Sequence, residues 1–167
     1  AAPAVHQDTA FVVVSMLRSV VEEGTARGTA QRLHRPIAGK TGTSNGSKDA
    51  WFVGFTPDLL AAVWVGFDDG KRLGKGEAGA KTALPIWTAF MKEALAGKPV
   101  EDFPIPEGVV VVPVDLWASG TCAKPVTMAF LAGTEPKNTC GPARGSGPRP
   151  EAIPAPAPTP PTVEATT

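Results

Sequence analysis

The sequence predicts an α+β fold in which an antiparallel sheet carries helices or other layers on both faces. Three observations predict it. An apolar run at helical spacing comes first, two consecutive stretches rich in aromatic and β-branched residues follow, and a second helical stripe closes the series. The two central stretches are apolar on both faces of a pleated strand, so layers must cover both sides of their sheet. At 167 residues with a 43% hydrophobic share, the chain is long enough for one domain with a sizeable core. One helix before the strands and one after them fall short of that cover, which predicts that further chain completes the structure.

The first helix is read from Asp8-Thr9, which stand ahead of Phe11, Val12, Val13, Val14, Met16, Leu17, Val20 and Val21, with Gly24 beyond. A capping Asp or Thr, spacings of three and four, and a terminal glycine predict it. Ser15, Arg18, Ser19, Glu22 and Glu23 form its wetter side. The clustered valines keep a strand open as the alternative, because β-branched side chains lose rotamer freedom in helices. Residues 25–35 read as a polar connection. Pro36 cannot continue a helix, and an extended segment begins at Ile37.

Asn45-Gly46-Ser47 is turn chemistry. Residues 50–56 read as a strand, Pro57-Asp58 as a turn, and residues 59–67 as the hairpin partner. A loop rich in Gly and Lys runs to Lys81. Thr82 then caps a helix through Ala96, with Pro85 tolerated in the first turn and Gly97 ending it. Leu84, Trp87, Phe90, Met91, Ala94 and Leu95 form its apolar stripe, which is core packing. Prolines punctuate residues 98–115, with one short strand at 109–112. From Gly141 onward the composition of Pro, Ala, Gly, Thr and Ser predicts a disordered or polyproline-like tail.

Composition removes several function classes. Basic and acidic residues number 16 each, so no net field draws nucleic acid or anionic lipid. No apolar run approaches a membrane span, and no export signal opens the chain. The start at Ala1-Ala2-Pro3 reads as that of a cut piece, with any anchor lying upstream. Cys122 and Cys140 allow two readings, a disulfide or a pair of free thiols. A bridge would stabilise the Pro/Gly-rich loop between them by roughly 3 kcal/mol in the chain-entropy model. Two cysteines lack the four ligands of a structural zinc, and His6 and His34 are poorly placed to complete one. Those histidines read as surface or capping residues, and neither metal nor cofactor is expected.

The chemistry concentrates at Ile37-Ala38-Gly39-Lys40-Thr41-Gly42-Thr43-Ser44-Asn45. Lys40 offers a cation, Thr41 and Thr43 offer hydroxyl donors, and Gly42 has no side chain to hold a ligand's backbone away. Alternation along a strand sends Lys40 and Gly42 to one face and Thr41 and Thr43 to the other. A twisted edge strand can soften that separation. The stretch suits an extended ligand bearing a carboxylate, laid along a sheet edge. A phosphate loop fails here, since His34 stands where that motif needs glycine and Gly42 opposes the helix that should follow. A second near-match from Gly74 to Gly79 fails because Ala80 displaces Lys81 by one place.

The Lys-Thr-Gly element resembles that of serine acyl transferases acting on penicillin-like and D-alanyl substrates. The resemblance extends through Gly24-Thr25-Ala26, residues 35–45, 49–57 and 62–69, Leu84-Pro85-Ile86-Trp87 and residues 130–136. This linked series resembles class A penicillin-binding proteins, in particular the C-terminal strands and helices of their transpeptidase domain. The resemblance implies D,D-transpeptidation of peptidoglycan. A serine attacks the D-Ala-D-Ala bond of a stem peptide, and the acyl group passes to an amine of a second stem. β-Lactams imitate the donor. By the same resemblance, Lys40 biases the site's electrostatics and the Thr43 backbone N–H is one of two oxyanion donors. The Thr41 and Thr43 hydroxyls bind the terminal carboxylate, with Gly42, Ser44 and Asn45 completing the substrate strand.

The departures matter equally. The family's Ser-x-x-Lys nucleophile and its Ser-x-Asn element are both missing. Ser15 is followed three places on by Arg18, Ser44 by Ser47, Ser47 by Ala50 and Ser146 by Arg149, and arginine stays protonated in proteins. The chain is therefore expected to be inert alone and to act with an N-terminal portion carrying those elements. The implied boundaries are 1–105 for the transpeptidase portion, 106–141 for an extension and 142–167 for the tail. The implied location is the periplasmic side of the inner membrane. Two alternatives stay open: a non-catalytic relative that binds peptidoglycan or a partner protein, and a D,D-carboxypeptidase or β-lactamase. The Trp-Phe-Val-Gly-Phe-Thr-Pro hairpin and the Gly-Thr-Glu-Pro segment favour the cross-linking branch.

Overall fold

The structure, a computed structural model, describes residues 4–28, 30–116, 122, 123 and 125–141. The predicted tail, residues 142–167, lies outside them. Helix α1 spans Gln7–Glu22, a 3-10 turn Ala30–Leu33, strand β1 Ala38–Thr43, β2 Asp49–Phe55 and β3 Leu60–Gly66. Helix α2 spans Ala83–Ala94, and strands β4 and β5 span Val109–Val114 and Val126–Leu131. β1, β2 and β3 form one antiparallel sheet in that order, while β4 and β5 pair antiparallel in a second.

Residues 11–21 are helical, so the strand alternative for the valine run falls away. The cap differs from the expected Asp8 or Thr9. His6 is extended, and its Nδ1 accepts from the Asp8 N–H at 3.3 Å, so the helix begins at Gln7, ahead of both expected caps. Asp8 itself is buried. Thr82 stands at the cap position of α2 but makes no capping bond, because its hydroxyl donates to the Glu77 carboxylate instead. The first amides of α2, on Ala83 and Leu84, donate back to the Gly79 carbonyl at 3.1 and 2.9 Å.

One core cluster lies between α2 and the sheet. Leu84, Trp87, Met91 and Leu95 pack there with Phe52, Ile37 and Val21. Phe90, expected on this stripe, is 53% exposed, because the buried side chains step 84, 87, 91, 95 and leave position 90 off that line. Phe52 meets Trp87 edge to face with ring centroids 4.9 Å apart. Gly39 and Gly54, paired across β1 and β2, make this possible: a Cβ on either would stand within 2.8 Å of the Phe52 ring.

The second cluster joins Phe11, Ala38, Phe103, Val109 and Ala129, with Phe55 beside them. It holds the β4–β5 hairpin against α1 and one end of the main sheet. Phe55 and Phe103 meet edge to face at 5.7 Å, and Arg18 reaches from α1 to Asp102 at 2.9 Å. The sequence offered a strand at 109–112. Its partner β5 was not anticipated, and neither was the Cys122–Cys140 disulfide's neighbour, the Val114–Thr139 bridge that draws the chain back after β5. Cover on the main sheet is uneven. α2 blankets one face, whereas Trp51, Val53, Leu60 and Trp64 remain exposed on the other.

Candidate functional site

β1 is an edge strand, with β2 on one side and no strand on the other among the described residues. Its register sets Lys40 opposite Val53, Thr41 opposite Phe52, Gly42 opposite Trp51 and Thr43 opposite Ala50. Just past the ladder the Ser44 N–H donates to the Asp49 carbonyl at 3.1 Å. Antiparallel bonding alternates, so residues 40 and 42 bond inward with Ser44 while the N–H and C=O of Thr41 and Thr43 turn to the outer edge. The Lys40 ammonium folds onto that edge and donates to the Thr41 carbonyl at 2.8 Å. The cation and two outward amide N–H groups thus share one rim.

The side chains divide as alternation requires. Lys40 and Gly42 share a face with Trp51, Val53 and Trp64, where the two indoles stand 6.3 Å apart. Thr41 and Thr43 occupy the opposite face, and each hydroxyl has a partner from another element. The Thr41 Oγ1 lies 3.0 Å from the Thr25 Oγ1, and the Thr43 Oγ1 accepts from the Gly79 N–H at 3.2 Å. Gly79 approaches so closely that a Cβ would overlap the Trp51 and Gly42 carbonyl oxygens.

Ser44 and Asn45 sit in the turn that closes the hairpin rather than on the strand. The Ser44 hydroxyl accepts from the Asp49 N–H at 2.9 Å, and Asn45 is exposed. Ser47 adopts a left-handed φ of 54°, and the Leu73 N–H donates to its carbonyl at 2.9 Å, pinning the following loop to the turn. In that loop, hydrogen bonds from the Thr82 hydroxyl and the Lys81 ammonium hold the Glu77 carboxyl below its ordinary value of 4.5. Cys122 and Cys140 are disulfide-bonded, with Cα atoms 5.7 Å apart, in the β4–β5 region away from β1. Among the described residues no cluster of His, Cys, Asp and Glu suits a metal ion, and no helix is long and apolar enough to cross a membrane.

Sequence reasoning singled out the strand but missed two groups behind it. Thr25 belongs to a tripeptide noted for its resemblance, yet no spacing signal links it to Thr41. Gly79 lies in a glycine-rich loop where nothing distinguishes it from its neighbours. Chemically, the rim can accept an extended chain by strand addition, beside an ammonium and two hydroxyls suited to an anion.

Comparison with known proteins gives a consistent picture. The family model described as the penicillin binding protein transpeptidase domain matches residues 2–92. Penicillin-binding protein 1A of Aquifex aeolicus is 49% identical over 132 residues, covering 77% of this chain and 18% of that protein. Penicillin-binding protein 1A of Neisseria gonorrhoeae is 46% identical over 107 residues, covering 64% of this chain and 13% of that protein. The crystal structure of penicillin-binding protein 1A from Haemophilus influenzae superposes with a TM-score of 0.69 at 38% identity, covering 81% of this chain and 22% of that one. The chain spans less than a fifth of the length of these curated relatives.

Proposed function

The chain belongs to the class A penicillin-binding protein transpeptidase family, and from that premise we propose that it supplies the substrate-binding strand of a peptidoglycan D,D-transpeptidase. The observation that carries the reading is the outer rim of β1, where the Lys40 ammonium and the outward amides of Thr41 and Thr43 lie together. A stem peptide ending in D-Ala-D-Ala lies along this rim as an added strand, and Gly42 leaves its backbone room. Its terminal carboxylate accepts hydrogen bonds from the Thr41 and Thr43 hydroxyls. A serine from the rest of the parent protein, within a Ser-x-x-Lys element, attacks the penultimate carbonyl. The Thr43 N–H stabilises the oxyanion that forms, a contribution of about 2.7–4 kcal/mol for one such donor. The C–N bond breaks to leave the acyl group as an ester on the serine, and D-alanine departs with the serine's proton passed through the network that Lys40 helps to hold. An amine of a second stem then displaces the serine, which recovers its proton from that amine. A β-lactam enters as the donor does.

In this reading residues 1–105 are the C-terminal portion of the transpeptidase domain and residues 106–141 an extension fastened to α1. The parent works on the periplasmic side of the inner membrane. The exposed face bearing Trp51, Val53, Leu60 and Trp64 supports a place for further chain of the same parent. Covalent labelling of the full-length parent by a fluorescent β-lactam, strongly reduced in Lys40→Ala, is the expected result. Saturable binding that reverses on dilution, with no covalent adduct in the intact mass, would favour a non-catalytic binding module. Rapid turnover of the β-lactam with recovery of free enzyme would favour a β-lactamase.

A further inference from the structure

The two hydroxyls of the site strand are each backed from behind. Thr43 Oγ1 receives the Gly79 N–H at 3.2 Å, a donor that cannot reverse its role. The Thr43 proton therefore remains for an acceptor in front of the strand. Thr41 Oγ1 faces Thr25 Oγ1 at 3.0 Å, where either hydroxyl could donate. With Thr25 donating, the Thr41 proton is also left for an acceptor in front, and the two hydroxyls present matched donors. With Thr41 donating, its proton is consumed internally. An anion at the strand selects the first arrangement, because a charged acceptor makes the stronger bond and polarises the chain of hydroxyls behind it.

Thr25 is well held for such a part. Gly24 crosses so near the end of α1 that a Cβ would lie 2.9 Å from the Val20 carbonyl oxygen. On the other side Ala26 is fully buried, and its N–H donates to that same carbonyl at 3.2 Å. The side chain between these two anchors is exposed and meets the strand through its hydroxyl. We infer that Thr25 is a positioning residue for carboxylate recognition, donating to Thr41 so that Thr41 and Thr43 together present two protons to the ligand's anionic end. The inference rests on the transpeptidase reading for the identity of the ligand, and on the geometry alone for the role of Thr25.

The test compares wild type, Thr25→Val and Thr25→Ser in the full-length parent. The first readout is the second-order acylation rate with a β-lactam bearing a free carboxylate and with its methyl ester. Thr25→Val is expected to slow the free acid roughly three- to tenfold, the size of one hydrogen bond, while leaving the ester within about twofold. Thr25→Ser is expected to restore the acid rate. A general structural defect would slow acid and ester alike, and that result, or no change in either, overturns the inference. The second readout is equilibrium binding of N-acetyl-D-Ala-D-Ala against its C-terminal amide. Absence of acylation in wild type would sink the transpeptidase reading. An acid-to-amide preference that is unchanged in Thr25→Val would sink the role of Thr25.

Discussion

At the scale of single residues, the site divides its work between side chains and backbone, and substitutions should separate the two. Thr43→Ala removes a hydroxyl but leaves the outward N–H in place, so acylation of the parent by a β-lactam should fall by less than a thousandfold. Stopped-flow labelling measures it. Gly79→Ala should do more harm, because the new Cβ must push away the Gly42 and Trp51 carbonyls and so move the strand itself. The expected order of rates is wild type, Thr43→Ala, Gly79→Ala. Lys40 and its threonines were legible in the sequence because a cation, hydroxyls and glycines crowd into a few positions. Thr25 and Gly79 were not, since each acts across a gap in sequence that only the folded chain closes. His6 was a partial exception, read as a surface or capping residue without its helix, while Asp8 or Thr9 was given the cap that His6 makes.

At the scale of elements, the strand is held by what surrounds it. Arg35, just ahead of β1, donates to the carbonyls of Leu95, Lys98 and Pro99 and so closes the C-terminal end of α2. Arg35→Ala should cost about 1.5–3 kcal/mol, as bonds to a charged donor do, and Arg35→Lys should recover only part because an ammonium lacks the planar fork. Denaturant melts of the chain measure both. The loop ahead of α2 carries a pH dependence. The Glu77 carboxyl is held below its ordinary value, so its contribution is fully present above about 4.5 and is lost as pH falls through the lower folded value. Protection factors at the Gly79 and Thr82 amides, with the intrinsic pH dependence of exchange divided out, should drop on that descent and stay level above it. In the extension, reducing the Cys122–Cys140 bond should lower stability by roughly 3 kcal/mol, read as a lower melting temperature with dithiothreitol. The helices were legible from their spacing, and the central hairpin from two aromatic and β-branched runs around Pro57-Asp58. β5 was not, because nothing in its own residues marks it as a strand and Val126–Leu131 finds its partner only through β4.

At the scale of the whole molecule, the two clusters make an asymmetric body, sealed by α2 on one side and bare on much of the other. Expressed alone, this chain should bind a dye that fluoresces on apolar surface and should fail to form an adduct with a labelled β-lactam. Adding the remaining portion of the parent in trans should suppress the first signal and, in the leading reading, create the second. The fold class was legible because both central strands are apolar on both faces, a demand that two helices of this length leave partly unmet. The uneven cover also gives the molecule a built-in optical gauge. Trp87 is sealed in the interior and should emit at short wavelength whatever happens outside, whereas Trp51 and Trp64 are each 44% exposed on the Lys40 face. In a Trp117→Phe variant, which removes the one tryptophan outside the described residues, whatever comes to rest on that side should shift the red part of the tryptophan spectrum over a constant blue background.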